Sequence, residues 1–552
     1  EETLKRAQWD SKVEFLMSCV AFSVGLGNIW RFPYTAYENG GGAFLVPYII
    51  VLFIIGKPIY YMEMILGQFS SRSCIQVWSI SPAFRGIGYG VTVSVFSVVT
   101  YYCSLMALAI FYLLASFQSV LPWAFCWEEW KNICFDSSSV NNEVINLNKS
   151  SSADLYFRQI LRFNIKVDKK KKILFVIFLN PTISWLFIFI VLSKGVKSSG
   201  KAAYFLALFP YAIMIALLIR AVTLEGAGDG IIFLFKPTWE KIFHPSVWYA
   251  AVTQSFFSLG VCFGAVIMYS SYNRFDHNVL RDCTLVTTMD LATSLIAGTT
   301  IFGILGNLAH ETGRNDISTV VRAGTGLAFI SYPEALAKFT VVPQLFAVLF
   351  FLMLFVLGIG TTVAFTAVIS SVIKDRFPSF QDWKVAGGVS CAGFLIGIVY
   401  CTRGGQYILN LVDYFGGTFI IVFLASFEVI AISWIYGIDN FLDDTEFMVG
   451  SRPSIYWRFC WCFLTPLTLF SILIYFLIDL SPVSGWILLG LGVIQLPIWM
   501  IVNKLKQSEG KSCLDQIFKP SSDWGPKDPI KYKEWKEFKD SKRMARMNLN
   551  KK

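Results

Sequence analysis

The chain of 552 residues is 55% apolar, 16% aromatic and only 15% charged, with a mean hydropathy of +0.56. Soluble domains run nearer 25% charged, which argues against an ordinary globular enzyme, a disordered chain or a nucleic-acid binder. The net charge of +10 does not change this, because residues 504–552 hold 14 basic and 7 acidic residues, a common cytoplasmic excess in membrane proteins.

Polar residues Lys5, Arg6, Asp10, Lys12 and Glu14 lead straight into the first apolar run, which reads as a span and not a cleavable signal peptide. Runs long enough to cross roughly 30 Å of hydrocarbon recur about twelve times. They lie near 12–37, 42–69, 87–120, 173–193, 197–220, 247–272, 281–308, 343–373, 385–402, 405–436, 454–478 and 484–503. The prediction is an all-α integral membrane protein with twelve transmembrane helices, since a barrel would alternate over segments of roughly 10 residues. Residues 1–11 precede this domain of 12–503, and 504–552 form a basic tail.

Short-loop residues Arg72, Arg85, Lys194, Lys197, Lys201, Arg274 and Arg281 fall on one side, which places both termini in the cytoplasm. Lys169 to Lys172 disagree, but they close a loop of about fifty residues, where the rule is weak. That loop, near 121–172, holds Cys126, Cys134 and the sequon Asn148-Lys149-Ser150. On the extracellular side a disulfide and a glycan both make sense. The remaining cysteines read as packing residues. His244, His277 and His310 lack metal-ligand spacing, and no zinc, haem, P-loop or triad pattern appears. Neither a cofactor nor an enzyme activity is expected.

Span one contains Ser23-Val24-Gly25-Leu26-Gly27-Asn28, and span six contains Ser258-Leu259-Gly260-Val261-Cys262-Phe263-Gly264. Each mid-helix glycine costs about 1 kcal/mol relative to alanine. Two such pairs five spans apart are expected of a 5+5 inverted repeat with helices 1 and 6 unwound. Glycines that merely ease helix packing give the same pattern. Unwound turns expose carbonyls to cations and N–H groups to a carboxylate. Arg31, Glu63, Asp290, Asp413 and Glu428 also sit in apolar surroundings. A buried intramembrane charge costs at least about 3 kcal/mol unless it is paired or lines a pathway, so these charges point to a water-accessible transport path.

Asn28-Ile29-Trp30-Arg31-Phe32-Pro33, then Glu38-Asn39-Gly40-Gly41-Gly42-Ala43-Phe44, and later Gln254-Ser255-Phe256-Phe257-Ser258-Leu259 resemble the signature of the neurotransmitter:sodium symporter family. The resemblance runs over essentially residues 5–503 and is strongest to the insect nutrient amino acid transporters. It implies a LeuT-type fold in the plasma membrane and sodium-coupled symport of neutral L-amino acids. Carried over by motif, the first sodium site takes Ser23, Asn28, Ser258 and Asp290, the last standing where the family has asparagine. The second takes carbonyls of Ala21, Val24 and Leu357 with Thr361, and Gly360 stands where most animal members have aspartate. A carboxylate is thus gained at one site and absent from the other, so potassium is expected to be tolerated beside sodium. A structural Asp290 paired with a nearby hydroxyl is the plainer alternative. The chloride set maps to Tyr48, Gln254, Ser258 and Ser294. Asp290 lies one turn before Ser294 on the same face, which predicts a weakened chloride dependence.

The same resemblance places Gly25 where monoamine transporters have aspartate, leaving room for the substrate's own carboxylate. That carboxylate would meet the N–H groups of Leu26 and Gly27 and the Tyr102 hydroxyl. The amine would meet carbonyls around Ser23, Phe257 and Ser258. Val98, Phe257, Gly260, Phe263, Thr361 and Phe365 would contact the side chain. None is charged, so an acidic or basic substrate would be left unpaired. Gly260 is expected to admit bulk, favouring leucine, methionine or phenylalanine. Proline, GABA, an osmolyte, and a non-transporting accessory or channel-like role stay open. Arg31 with Asp413, under a Phe257 lid, would form the outer gate; Arg6 with Asp375, helped by Tyr272, the inner one. Amino acid and membrane lipid are the expected partners, nucleic acid is not, and nothing signals an oligomeric state.

Overall fold

The structure, a computed structural model, describes residues 8–130, 133–138, 149–162, 181–311, 313, 326–339, 342–402, 404–478, 486–507 and 515–549. Among them, eight helices are long and apolar enough to cross a membrane: Gly42–Ser70, Pro82–Ser116, Ser198–Val222, Val279–Glu311, Pro343–Arg376, Asp382–Cys401, Gly405–Val449 and Ile455–Phe476. The bent pair Lys12–Ser23 and Gly27–Glu38 makes a ninth if counted as one span. Pro181–Leu192 and Gly490–Leu505 are shorter apolar helices. The start of the predicted span 173–193 lies outside the described residues.

One boundary differs clearly from expectation. The run expected to stop at 436 continues as helix to Val449. Gly437, at φ +92°, redirects the chain, and Ile438–Val449 follows. Its acidic residues end the apolar run without ending the helix.

Both glycine-rich stretches interrupt their helices. Ser11 starts the first helix by accepting the N–H groups of Val13 and Glu14, a side-chain N-cap. Val24 is extended (φ −84°, ψ 91°) and ends it, and the chain resumes at an angle of 41°. The second break follows Pro245–Leu259. Gly260, Cys262 and Gly264 all take positive φ there, at +64°, +62° and +72°, before Ala265–Ser270 resumes the helix. The Ser23 hydroxyl donates to the Leu259 carbonyl at 3.3 Å and ties the breaks together. Around them Pro343–Arg376 packs along Arg85–Ser116, and Lys12–Ser23 along Val196–Val222. The polar atoms freed by unwinding therefore sit in the buried centre.

The loop after Ser116 is anchored to the bundle. Cys126 and Cys134 form a disulfide, Cys134–Phe135 pairs in parallel with Ser150–Ser151, and Trp123 Nε1 donates to the Pro333 carbonyl at 3.0 Å. Asn148 lies outside the described residues.

The basic segment is also folded onto the bundle. Arg72 pairs with Asp523 at 2.7 Å. Burial works to raise the Asp523 carboxyl, but hydrogen bonds from Arg72 and Ser521 outweigh it and hold the group below its ordinary value. Further on, helix Pro529–Leu549 sets Lys539 on Asp444 at 2.8 Å, Lys542 on Glu446 at 2.8 Å and Arg546 on Asp443 at 2.7 Å. Trp535 Nε1 adds a hydrogen bond to Asp444 at 2.8 Å.

Candidate substrate and ion site

A cavity lies at the two breaks. Of the twelve residues expected around the substrate, ten line it: Ser23, Gly25, Gly27, Tyr102, Phe257, Ser258, Gly260, Phe263, Thr361 and Phe365. Leu26 and Val98 do not line it. Both are buried, and the part foreseen for Leu26 is that of its backbone N–H. Phe22 and Asn28 complete the wall.

Phe22 changes the expected shape of the pocket. A Cβ at Gly260 would collide with the Phe22 ring, so the space attributed to that glycine is already filled. Phe22 packs edge-on against Phe365 at 5.4 Å, and Phe365 meets Phe263 at 5.2 Å. With Phe257 and Tyr102, five aromatic rings line the cavity. Gly25 is close-packed too, since a Cβ there would stand 2.6 Å from Thr361 Oγ1.

A buried polar knot adjoins these rings. Asn28 Nδ2 donates to Asp290 Oδ1 at 2.8 Å, Ser258 Oγ at 2.9 Å and Ser294 Oγ at 2.9 Å. Ser258 Oγ donates to Asp290 Oδ1 at 2.7 Å, while Asn28 Oδ1 accepts the Gly25 N–H at 3.0 Å. Gln254 Nε2 reaches the Gly27 carbonyl at 3.3 Å. Asp290 Oδ2, Gln254 Oε1 and the Tyr48 hydroxyl are buried without a hydrogen-bond partner. An orphaned carboxylate oxygen beside hydroxyl oxygens suits a hard cation, although Asn28 turns its Nδ2 and not its Oδ1 toward Asp290.

The second expected ion site is tighter. Gly360 lies so close to the Ala21 carbonyl that any Cβ would strike it. An aspartate would not fit there without moving the helices apart. Thr361 Oγ1 donates to the Phe22 carbonyl at 3.3 Å. Leu357 is buried in the same helix, and Val24 begins the break.

Above Phe257 the cavity is closed. Arg31 lies 4.2 Å over that ring and 3.4 Å from Asp413 Oδ1. Tyr101, which sequence reasoning did not single out, donates to the same oxygen at 2.6 Å. At the opposite end, the Trp9 backbone N–H donates to the Tyr272 carbonyl at 3.2 Å and its indole to the Tyr269 carbonyl at 3.0 Å. Trp9 was also missed, although an aromatic residue just before the Ser11 cap is a visible signal. Asp375 Oδ2 has no hydrogen-bond partner among the described residues, and Arg6 lies outside them.

Comparison with known sequences settles the class of protein. The profile described as the sodium:neurotransmitter symporter family matches residues 6–501. The chain belongs to the sodium:neurotransmitter symporter family. Similar members include sodium-dependent nutrient amino acid transporter 1 of Drosophila pseudoobscura pseudoobscura, 50% identical over 584 residues, covering 99% of this chain and 88% of the relative. The Drosophila virilis protein of that name is 49% identical over 591 residues (99% and 92%), and the Drosophila melanogaster one 48% over 588 (99% and 91%). These symporters are transporters and not enzymes, as the sequence led us to expect.

Proposed function

We propose that the protein is a sodium-coupled symporter of neutral L-amino acids that works by alternating access and favours large apolar and aromatic side chains. The observation that carries this reading is the cavity wall, which combines backbone and hydroxyl groups of the breaks with five aromatic rings and holds no charged side chain. A zwitterion's carboxylate is held by the N–H groups of Leu26 and Gly27 and by Tyr102, its amine by carbonyls near Ser23 and Ser258. An acidic or basic side chain would be buried there unpaired.

In this account the first sodium joins Asp290 Oδ2, Asn28, Ser258 and Ser23, and Asp290 lets potassium substitute. The second lies among Ala21, Val24, Leu357 and Thr361. Chloride sits among Tyr48, Gln254, Ser258 and Ser294, weakened by the adjacent carboxylate. The Arg31–Asp413 contacts and the Trp9 contacts, with Arg6 and Asp375, open in turn. The scaffold is read as twelve spans with a LeuT-type 5+5 repeat in the plasma membrane. Both termini are cytoplasmic, with a glycan at Asn148.

The test is uptake of a substrate panel by oocytes expressing the protein at the surface. Leucine, methionine and phenylalanine should accumulate in sodium, with glutamate and lysine excluded. Accumulation of proline, GABA or a betaine instead would replace the substrate assignment. Currents without accumulation would replace symport by a channel-like function.

A further inference from the structure

Two of the intramembrane charges seen in the sequence, Glu63 and Glu428, take no part in the site described above. They meet behind the second break, against Cys262. One donor atom from each of the three residues lies within 4.8 Å of the others. All three are buried, Glu63 and Cys262 completely.

Neither carboxylate is fully partnered. Glu63 Oε2 accepts the Cys262 N–H at 3.1 Å, but Glu63 Oε1 and Glu428 Oε1 have no hydrogen-bond partner. Among the described residues, no ion pair involves either glutamate. Buried carboxylates without a partner are costly and must either keep their protons or hold a cation, and two carboxylates beside a thiol make a donor set able to do the second. The thiol points to which kind. A sulfur and two carboxylate oxygens suit a zinc-class divalent ion rather than sodium or calcium, which take oxygen alone. The backbone agrees: the break's positive-φ positions at 260 and 264 are glycine, while 262 holds a cysteine at φ +62°. A side chain in that region is strained, and such strain tends to persist at functional sites.

We infer that Glu63, Cys262 and Glu428 form a binding site for a zinc-class divalent metal ion that clasps the second break to helix Lys57–Ser70 and helix Ile420–Ile430. Binding requires the thiolate and displaces the protons the three groups hold. Because the site joins two helices to the segment bearing Phe257 and Ser258, an occupied site restrains that segment's movement during transport.

The experiment titrates cadmium into the purified full-length protein in detergent after chelator treatment. The readout is the ultraviolet thiolate-to-cadmium charge-transfer band. Cys262→Gly removes the sulfur while suiting the left-handed backbone, and Cys262→Ser keeps the size. Other free cysteines set a background that both variants share. The wild type should bind one more cadmium per chain than either variant, with its own thiolate band, and zinc should displace it. Glu428→Gln should weaken that binding by at least about tenfold. An equal band in wild type and both cysteine variants overturns the proposal, as does a cluster that holds protons only and takes up no cadmium.

Discussion

At Asp290, one carboxylate oxygen accepts from Asn28 and Ser258 while the other is orphaned and buried. A neutral amide there would keep an oxygen ligand and lose the charge. Asp290→Asn should therefore leave sodium-driven uptake working and reduce potassium-driven uptake by about tenfold, equivalent to about 1.4 kcal/mol. Paired ion-replacement assays check this, and an unchanged sodium-to-potassium ratio would make Asp290 merely structural. Gly260 invites a second substitution. Gly260→Ala meets both a positive φ and the Phe22 ring, and overpacking of that kind costs about 1–3 kcal/mol. Uptake and melting temperature should both fall, and Phe22→Leu in the same chain should restore part of each. Additive losses in the double variant would show that the two residues do not share the space. Phe22 could not be found from the sequence because it sits in a run where almost every residue is apolar. Its ring reaches the other break from the last turn of the helix that ends at Ser23. Asp290, by contrast, stands out as a charge in an apolar run, and the glycine pairs mark both breaks in the sequence.

At the scale of elements, helix ends and docking were the least legible features. The basic residues of Pro529–Leu549 read only as a cytoplasmic tail, because their partners Asp443, Asp444 and Glu446 lie about a hundred residues earlier, beyond the reach of any local pattern. In the structure Asp443 and Asp444 are buried, so the tail cations neutralise charges that water cannot reach. Lys539, itself only 20% exposed along its side chain, should matter most. Lys539→Met should destabilise the protein by about 3 kcal/mol, the low end for stranding one partner of a buried pair. Lys531→Met, whose partner Glu534 is an exposed neighbour on the same helix, should have no measurable effect. Thermal melting followed by size-exclusion chromatography separates the two. Equal melting curves would mean the tail does not stabilise the bundle.

Across the whole molecule, apolar run length and paired glycines anticipated the helical membrane architecture, because those signals arise from the bilayer and from backbone geometry. What they leave open is the coupling of ions to substrate, on which symport depends. One charge moving through 100 mV supplies about 2.3 kcal/mol, enough for a concentration ratio of about fifty. The most direct test uses purified protein in liposomes with sodium outside, an inside-negative potential and radiolabelled leucine. Leucine should be concentrated above the external level, and a sodium ionophore should discharge it. Equilibration without accumulation, or accumulation that is indifferent to removing both sodium and potassium, would contradict symport.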